Sequence, residues 1–293
     1  MKIDPNMATQ SCLLRLQAVI NTLKPAEHRA AAYILDHPQD VLSSTLNELA
    51  EKSGCSYATI NRLINRIGYI GFKELKKYLY EDTLKSNSLD FLDVIAFSKD
   101  TATEDICSGI HTLSARFIEE SNELINPSAI NEAVDKILSA KSLCIVGTGS
   151  SGICARYAYS RFFRIGIHCS YDEDTTLFNM HASLLTKGDL LFAISSSGRS
   201  ENILHCAEMA KANQAEILSL CDYAITPLSQ LSDVSLFTTS RNVNLFMNID
   251  MPIFIGQIFL IDVLYMCCCV RLGKRSSELY VRTKVSADFE KRE

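Results

Sequence analysis

Residues 142–152, SLCIVGTGSSG, read as a short apolar strand that breaks on glycine and hands over to a helix. Leu143, Cys144, Ile145 and Val146 form a continuous apolar run, the pattern of a strand buried on both faces of a parallel sheet. Gly147 and Gly149 permit a tight turn and a close approach of the backbone to a bound group. Ser150 and Ser151 then open a helix. Free N–H groups and the positive end of the helix dipole favour an anion there, with phosphate the obvious candidate.

Working outward, the downstream chain repeats the pattern. A helix is expected over 155–165, a short strand over 168–171 and a helix over 175–185. The second fully apolar strand, 189–194 (DLLFAI), ends in Ser195, Ser196, Ser197, Gly198, Arg199 and Ser200, and leads to a helix over 202–212. Strands at 216–220 and 234–238 and a closing helix over 253–270 complete the set. Strands alternating with helices predict an α/β doubly wound parallel sheet with helices on both faces. Ligands bind such sheets at the carboxyl ends of the strands, where both glycine–serine loops lie. Three hydroxyls (Ser195, Ser197, Ser200) around one glycine turn, with helix N–H groups, make a phosphate cradle without a lysine. The candidate ligand residues are Gly147, Gly149, Ser150, Ser151, Ser195, Ser196, Ser197 and Ser200.

The first loop also satisfies GxGxxG through Gly147, Gly149 and Gly152. The acidic run Asp172, Glu173 and Asp174 lies about twenty residues on, as in a dinucleotide fingerprint. A DNA-binding NAD(H) sensor is therefore the rival reading. The serine-rich second loop has no task in pyrophosphate binding, and Ser150 and Ser151 add hydroxyls where a dinucleotide fold prefers bare backbone. A phosphorylated sugar is the favoured ligand.

Upstream, helical spacing marks 12–23 and a helix opened by Pro25 and ending near Pro38. The stretch 45–68, TLNELAEKSGCSYATINRLINRIG, then reads as a helix-turn-helix. Thr45 with Glu48 is a capping-box signature. Ser53, Gly54 and Cys55 form the turn. Ser56 caps a second helix whose Ile60, Leu63, Ile64 and Ile67 point inward. Tyr57, Thr59, Asn61, Arg62, Asn65 and Arg66 are left outward or along the edges, a set suited to the major groove. The candidate DNA-binding residues are Ser56, Tyr57, Thr59, Asn61, Arg62, Asn65, Arg66 and Lys73. The division expected is an all-α helix-turn-helix domain over 1–85, a linker over 86–103 and the α/β domain over 104–293, the last with helices over 104–124 and 127–139.

Bulk properties set limits. The chain has 293 residues, 47% apolar, 22% charged, and a net charge of −5, which argues against a protein coated in nucleic acid. Residues 1–85 nonetheless carry a balance of +2, so a basic face is confined to the helical domain. The eleven cysteines are scattered and include no CxxC pair, and the start lacks an apolar leader. Reduced thiols in the cytoplasm, no metal site and no cofactor are expected. The apolar run 253–272 is interrupted by Gly256, Gln257 and Asp262. A buried or subunit-interface helix, rather than a membrane span, is expected there.

These motifs together are similar to the RpiR-type transcriptional regulators, in which an N-terminal helix-turn-helix joins a SIS (sugar isomerase) domain of flavodoxin-like fold. The resemblance rests on YILDHPQDVLSSTLNELAEKSGCSYATINRLINRIGYIGFKELK, IVGTGSSGICA and DLLFAISSSGRSENI, and spans nearly the whole chain. It implies that Gly149, Ser151, Ser195, Ser197 and Ser200 hold the phosphate of a sugar phosphate. It also aligns Ser56, Ala58, Thr59, Ile60 and Arg62 with the recognition-helix pattern S-x-A-T-[VI]-x-R. Asn65 departs from a position that is usually basic, and Arg199 stands where Glu and Arg vary. A homodimer or homotetramer bound to operator DNA is implied, without membrane contact. Isomerases on this fold need a general base. Glu173, His181 and Glu201 are the nearby groups, and none carries a signature, so a sensor without catalysis is expected.

Overall fold

The computed structural model describes residues 11–86, 97–239, 242–246, 249–252 and 254–287. The described residues group into two compact units, one up to Leu113 and one from Ser114 on, with residues 223–225, 244–246 and 249 grouping with the first. The expected linker falls largely outside the described residues.

The first unit is helical: α1 (Cys12–Val19), a 3-10 turn (Ile20–Thr22), α2 (Pro25–Asp36), α3 (Pro38–Ser43), α4 (Leu46–Lys52), α5 (Tyr57–Arg66) and α6 (Phe72–Ser86). Its core is built from fully buried Leu16, Ile34, Leu49, Ile60, Leu63, Ile64, Ile67, Leu75 and Leu79. Each such side chain contributes about 1.5–3 kcal/mol by leaving water. The expected capping box forms: the Glu48 N–H donates to Thr45 Oγ1, and the Thr45 N–H donates to Glu48 Oε2. Ser56 caps α5 through the Thr59 N–H. Gly54, in the turn between them, takes φ +60°. The start of α1 is held by Asp82 of α6, which accepts from the Leu13 N–H and the Ser11 hydroxyl.

The remaining elements are α7 (Thr103–Glu123), α8 (Pro127–Ser139), β1 (Leu143–Gly147), α9 (Ser150–Arg164), β2 (Cys169–Tyr171), α10 (Thr175–Ser183), β3 (Leu190–Ile194), α11 (Glu201–Ala212), β4 (Glu216–Asp222), α12 (Pro227–Leu231), β5 (Val234–Thr238), β6 (Asn242–Phe246), β7 (Ile249–Pro252), α13 (Ile255–Leu272) and α14 (Lys274–Ala287). Strands β1 to β5 form one parallel sheet in the order β2-β1-β3-β4-β5, the flavodoxin-like order. Side chains alternate between two cores. Leu143, Ile145, Leu190, Phe192, Ile194, Leu218 and Leu220 face α8, α9 and α13. Cys144, Val146, Leu191, Ala193 and Ile217 face α10, α11 and α12. The chain leaves β1 toward β2 and returns on the other side at β3, so the topological switch lies between β1 and β3.

The sheet and its main helices match the pattern read from sequence. The five-residue α12, the two-stranded β6–β7 sheet and α14 were not anticipated. Helix α13 is long and apolar enough to cross a membrane by length and composition. It packs instead on α8, α9 and β5, while Met266 and Val270 stay exposed.

Candidate functional site

Both glycine–serine loops leave neighbouring strand ends, since Gly147 closes β1 directly beside Ile194 at the end of β3. Gly147 has no room for a side chain. A Cβ would lie 2.5 Å from the Ser151 carbonyl oxygen and 3.1 Å from Ala155 Cβ. The absence of that carbon lets the first turn of α9 press onto the strand end. Gly149 then occupies the N-cap of α9, and Ser200 the N-cap of α11, in each case without a side-chain cap. Helices α8, α10 and α12 are all capped by side chains. Helix α13, behind Phe254, also lacks a side-chain cap. The two helices that follow the glycine–serine loops are thus open to an external acceptor at their positive ends.

The structure brings Ser151 and Ser196 together across the switch. The Ser196 N–H donates to Ser151 Oγ at 3.3 Å, and the two hydroxyls are 3.5 Å apart. Ser151 and Ser195 are buried, Ser150, Ser196 and Ser200 half-buried, and Ser197 and Gly149 exposed, so the set runs from floor to rim. Ser197 Oγ accepts from the Arg199 N–H within its own loop. The second loop is pinned to its neighbours. The Ser195 N–H donates to the Leu220 carbonyl, the Asp222 N–H to the Ser196 carbonyl and the Leu228 N–H to the Gly198 carbonyl. Gly198 takes φ +58°, and a Cβ there would meet Thr226 Oγ1 at 2.3 Å.

Two residues at this site escaped the sequence reading. Thr226 caps α12 and backs Gly198. Gln257, on the first turn of α13, donates from Nε2 to Ser196 Oγ at 3.0 Å. Its signal was a lone carboxamide in an apolar run, read only as an interruption of a membrane pattern.

The acidic residues that a dinucleotide would use are engaged locally. Glu173 pairs with Arg156 at 2.9 Å. Asp174 caps α10 and accepts from the Leu177 and Thr176 N–H groups, which hold its carboxyl below the usual range. Asp172 accepts from the Asp174 N–H. His181 and Glu201 are exposed. The neighbouring thiols of Cys154, Cys206 and Cys221 are each pushed up to about 12 by burial and are unreactive as nucleophiles at neutral pH. Among the described residues no three His, Cys, Asp or Glu side chains gather as a metal site.

On α5, Ser56, Tyr57, Arg62 and Asn65 are exposed, Asn61 is half-buried, and Lys73 is exposed on α6. Two residues expected outward or at the edges turn inward. Thr59 is buried because its hydroxyl folds back onto the cap, 2.9 Å from Ser56 Oγ. Arg66 is drawn down by the buried carboxylate of Glu27, at 3.3 Å, and also donates to the Thr22 carbonyl and hydroxyl. Arg62 stays out, donating to Thr59 Oγ1 at 3.3 Å.

A helix-turn-helix unit and a parallel-sheet unit with two serine loops at its switch point define a class, the DNA-binding regulator with an attached SIS domain. Family models match accordingly: the helix-turn-helix domain of the rpiR family over residues 10–86 and the SIS domain over residues 136–264. The HTH-type transcriptional regulator YbbH of Bacillus subtilis is 30% identical over 251 residues, covering 86% of this chain and 88% of that protein. HexR of Escherichia coli, an HTH-type transcriptional regulator, is 27% identical over 273 residues, covering 93% and 92%. Among solved structures, the Vibrio vulnificus NanR protein complexed with ManNAc-6P matches with a TM-score of 0.58 and 27% identity, covering 94% of this chain and 97% of that one. The chain belongs to the rpiR family of HTH-type transcriptional regulators.

Proposed function

We propose that this regulator binds operator DNA through α5 and its flanks, and that a phosphorylated sugar held by the two serine loops modulates that binding. The observation that carries the reading is the pair of helices without side-chain caps, α9 and α11, entering from loops joined through Ser151 and Ser196 at the β1–β3 switch. Gly147, Gly149, Ser150, Ser151, Ser195, Ser196, Ser197 and Ser200 form the cradle. A relative of similar length has been solved with a sugar phosphate, which supports the ligand class. Ser56, Tyr57, Asn61, Arg62, Asn65 and Lys73 meet the DNA, Thr59 orients Arg62, and Arg66 braces the helix from behind. The protein acts in the cytoplasm without catalysis of its own, as a homodimer or homotetramer that reads a two-fold operator. The exposed Met266 and Val270 of α13 suit a subunit contact. The ligand shifts operator affinity only as far as it distinguishes two arrangements of the subunits.

The rival NAD(H) reading loses support because Glu173 and Asp174, the residues needed for a ribose, are occupied by Arg156 and by the start of α10. The deciding experiment is a thermal-shift screen against sugar phosphates, amino-sugar phosphates, the matching free sugars, NAD and NADH. A sugar phosphate raises the melting temperature and its free sugar does not. Stabilisation by NAD or NADH alone would replace the proposal with the dinucleotide reading. The Ser195→Ala, Ser197→Ala double variant binds operator DNA but does not respond to the sugar phosphate. A normal response would sink the cradle.

A further inference from the structure

We propose that Gln257 is a positioning residue of the cradle, fixing the direction in which the Ser196 and Ser151 hydroxyls donate. The inference rests on the reading of the two loops as a phosphate site. Gln257 is 1% exposed, and its Nε2 donates to Ser196 Oγ at 3.0 Å. An amide N–H can only donate, so Ser196 must accept and keeps its own proton to give. The nearest hydroxyl is Ser151 Oγ, 3.5 Å away, which also accepts the Ser196 N–H at 3.3 Å. With those acceptor roles filled, the Ser151 proton is left over for a bound anion. The carboxamide thus polarises a chain, Gln257 to Ser196 to Ser151, that presents a proton rather than a lone pair to phosphate.

A second observation sets this residue apart from packing. Gln257 Oε1 is buried and has no hydrogen-bond partner among the described residues. An unsatisfied buried carbonyl is costly, and a leucine or methionine would fill the same space without that cost. The benefit lies in the other half of the amide, the N–H on Ser196.

Calorimetric titration with inorganic phosphate tests the relay in the full-length protein, alongside Gln257→Glu, Gln257→Leu and each on a Ser196→Ala background. An ionised Glu only accepts. It draws the Ser196 proton toward itself, Ser196 then accepts from Ser151, and the donor to phosphate is lost. Burial raises the pKa of this Glu, so the comparison is made at about pH 9, where Q257E binds phosphate at least about tenfold more weakly than wild type. The loss narrows as the pH falls and the buried Glu takes up its proton and donates again, each affinity being compared with wild type at the same pH. Q257L, free of the orphan carbonyl, keeps or raises the melting temperature and binds about threefold more weakly. On the S196A background the Q257E loss shrinks. Wild-type affinity in Q257L or Q257E, or an equal Q257E loss with and without Ser196, overturns the relay. Absence of phosphate binding by the wild type instead refutes the cradle reading on which it stands.

Discussion

Arg62 and Arg66 lie one turn apart on α5 and do different work. Arg62 is exposed, donates to Thr59 and reaches Glu27 only at 3.9 Å, whereas Arg66 is the nearer partner of Glu27, at 3.3 Å, a carboxylate only 6% exposed. Arg62→Ala should weaken operator binding about tenfold, the loss of one good base contact, while the thermal midpoint stays put. Arg66→Ala should lower stability by about 1–3 kcal/mol, because it leaves the buried Glu27 carboxylate with only the more distant, exposed Arg62. Electrophoretic mobility shifts and denaturant melts on both variants separate the roles, and the reverse pattern would refute the assignment. Gly198 gives a second test. Its left-handed backbone and the 2.3 Å approach to Thr226 Oγ1 leave no place for a methyl group. Gly198→Ala should cost about 1–3 kcal/mol. Adding Thr226→Ala should cost less than the sum of the two single changes, since the clash partner is gone.

At the scale of elements, the carboxylate of Asp40 joins α2, α3 and α4 through two hydrogen bonds. Tyr33 donates to Asp40 at 2.7 Å, and Lys52 donates to the other oxygen of the same carboxylate. Lys52 and Tyr33 hold the Asp40 carboxyl below its ordinary 3.8. A lowered carboxylate stabilises the fold above its unfolded value and loses that contribution as the pH falls through the folded one. Acid melts should therefore show Asp40→Asn less stable than wild type above about pH 4 and converging with it below. A gap that persists at pH 2 would mean that Asp40 acts by shape. The elements also show what sequence could reveal. Strands β1, β3 and β4 were legible because burial on both faces demands unbroken apolar runs, and Thr45 and Ser56 marked helix starts because capping needs their hydroxyls. Helix α12 has five residues, too few for a helical period. Helix α14 buries only Ser276 among its described residues, so no apolar stripe announces it. At the site, the serines were readable from loop chemistry. Gln257 and Thr226 were not, because contact with those loops arises only when α12 and α13 fold over strand ends far away in sequence.

Taken whole, the molecule buries six of its eleven cysteines as packing material. Cys144 is pushed up to about 11, and Cys154, Cys206, Cys221 and Cys268 up to about 12, by burial, whereas Cys107 is exposed. Iodoacetamide at pH 8 should label Cys107 first by peptide mass spectrometry, and these five buried thiols only after denaturation. Early labelling of Cys154 or Cys206 would contradict the packing beside the serine loops. The proposed cradle offers hydroxyls and backbone N–H groups, with no lysine among its eight residues. A site without fixed cations has few bound ions to shed when its ligand arrives. The proposed operator-binding face, with Arg62 and Lys73, would have to displace the ions condensed on DNA. Rising potassium in a cell under osmotic stress would loosen the grip on the operator while leaving the sensing domain nearly as full as before. The regulator would then read its metabolite faithfully, yet act on it according to the water activity of the cell.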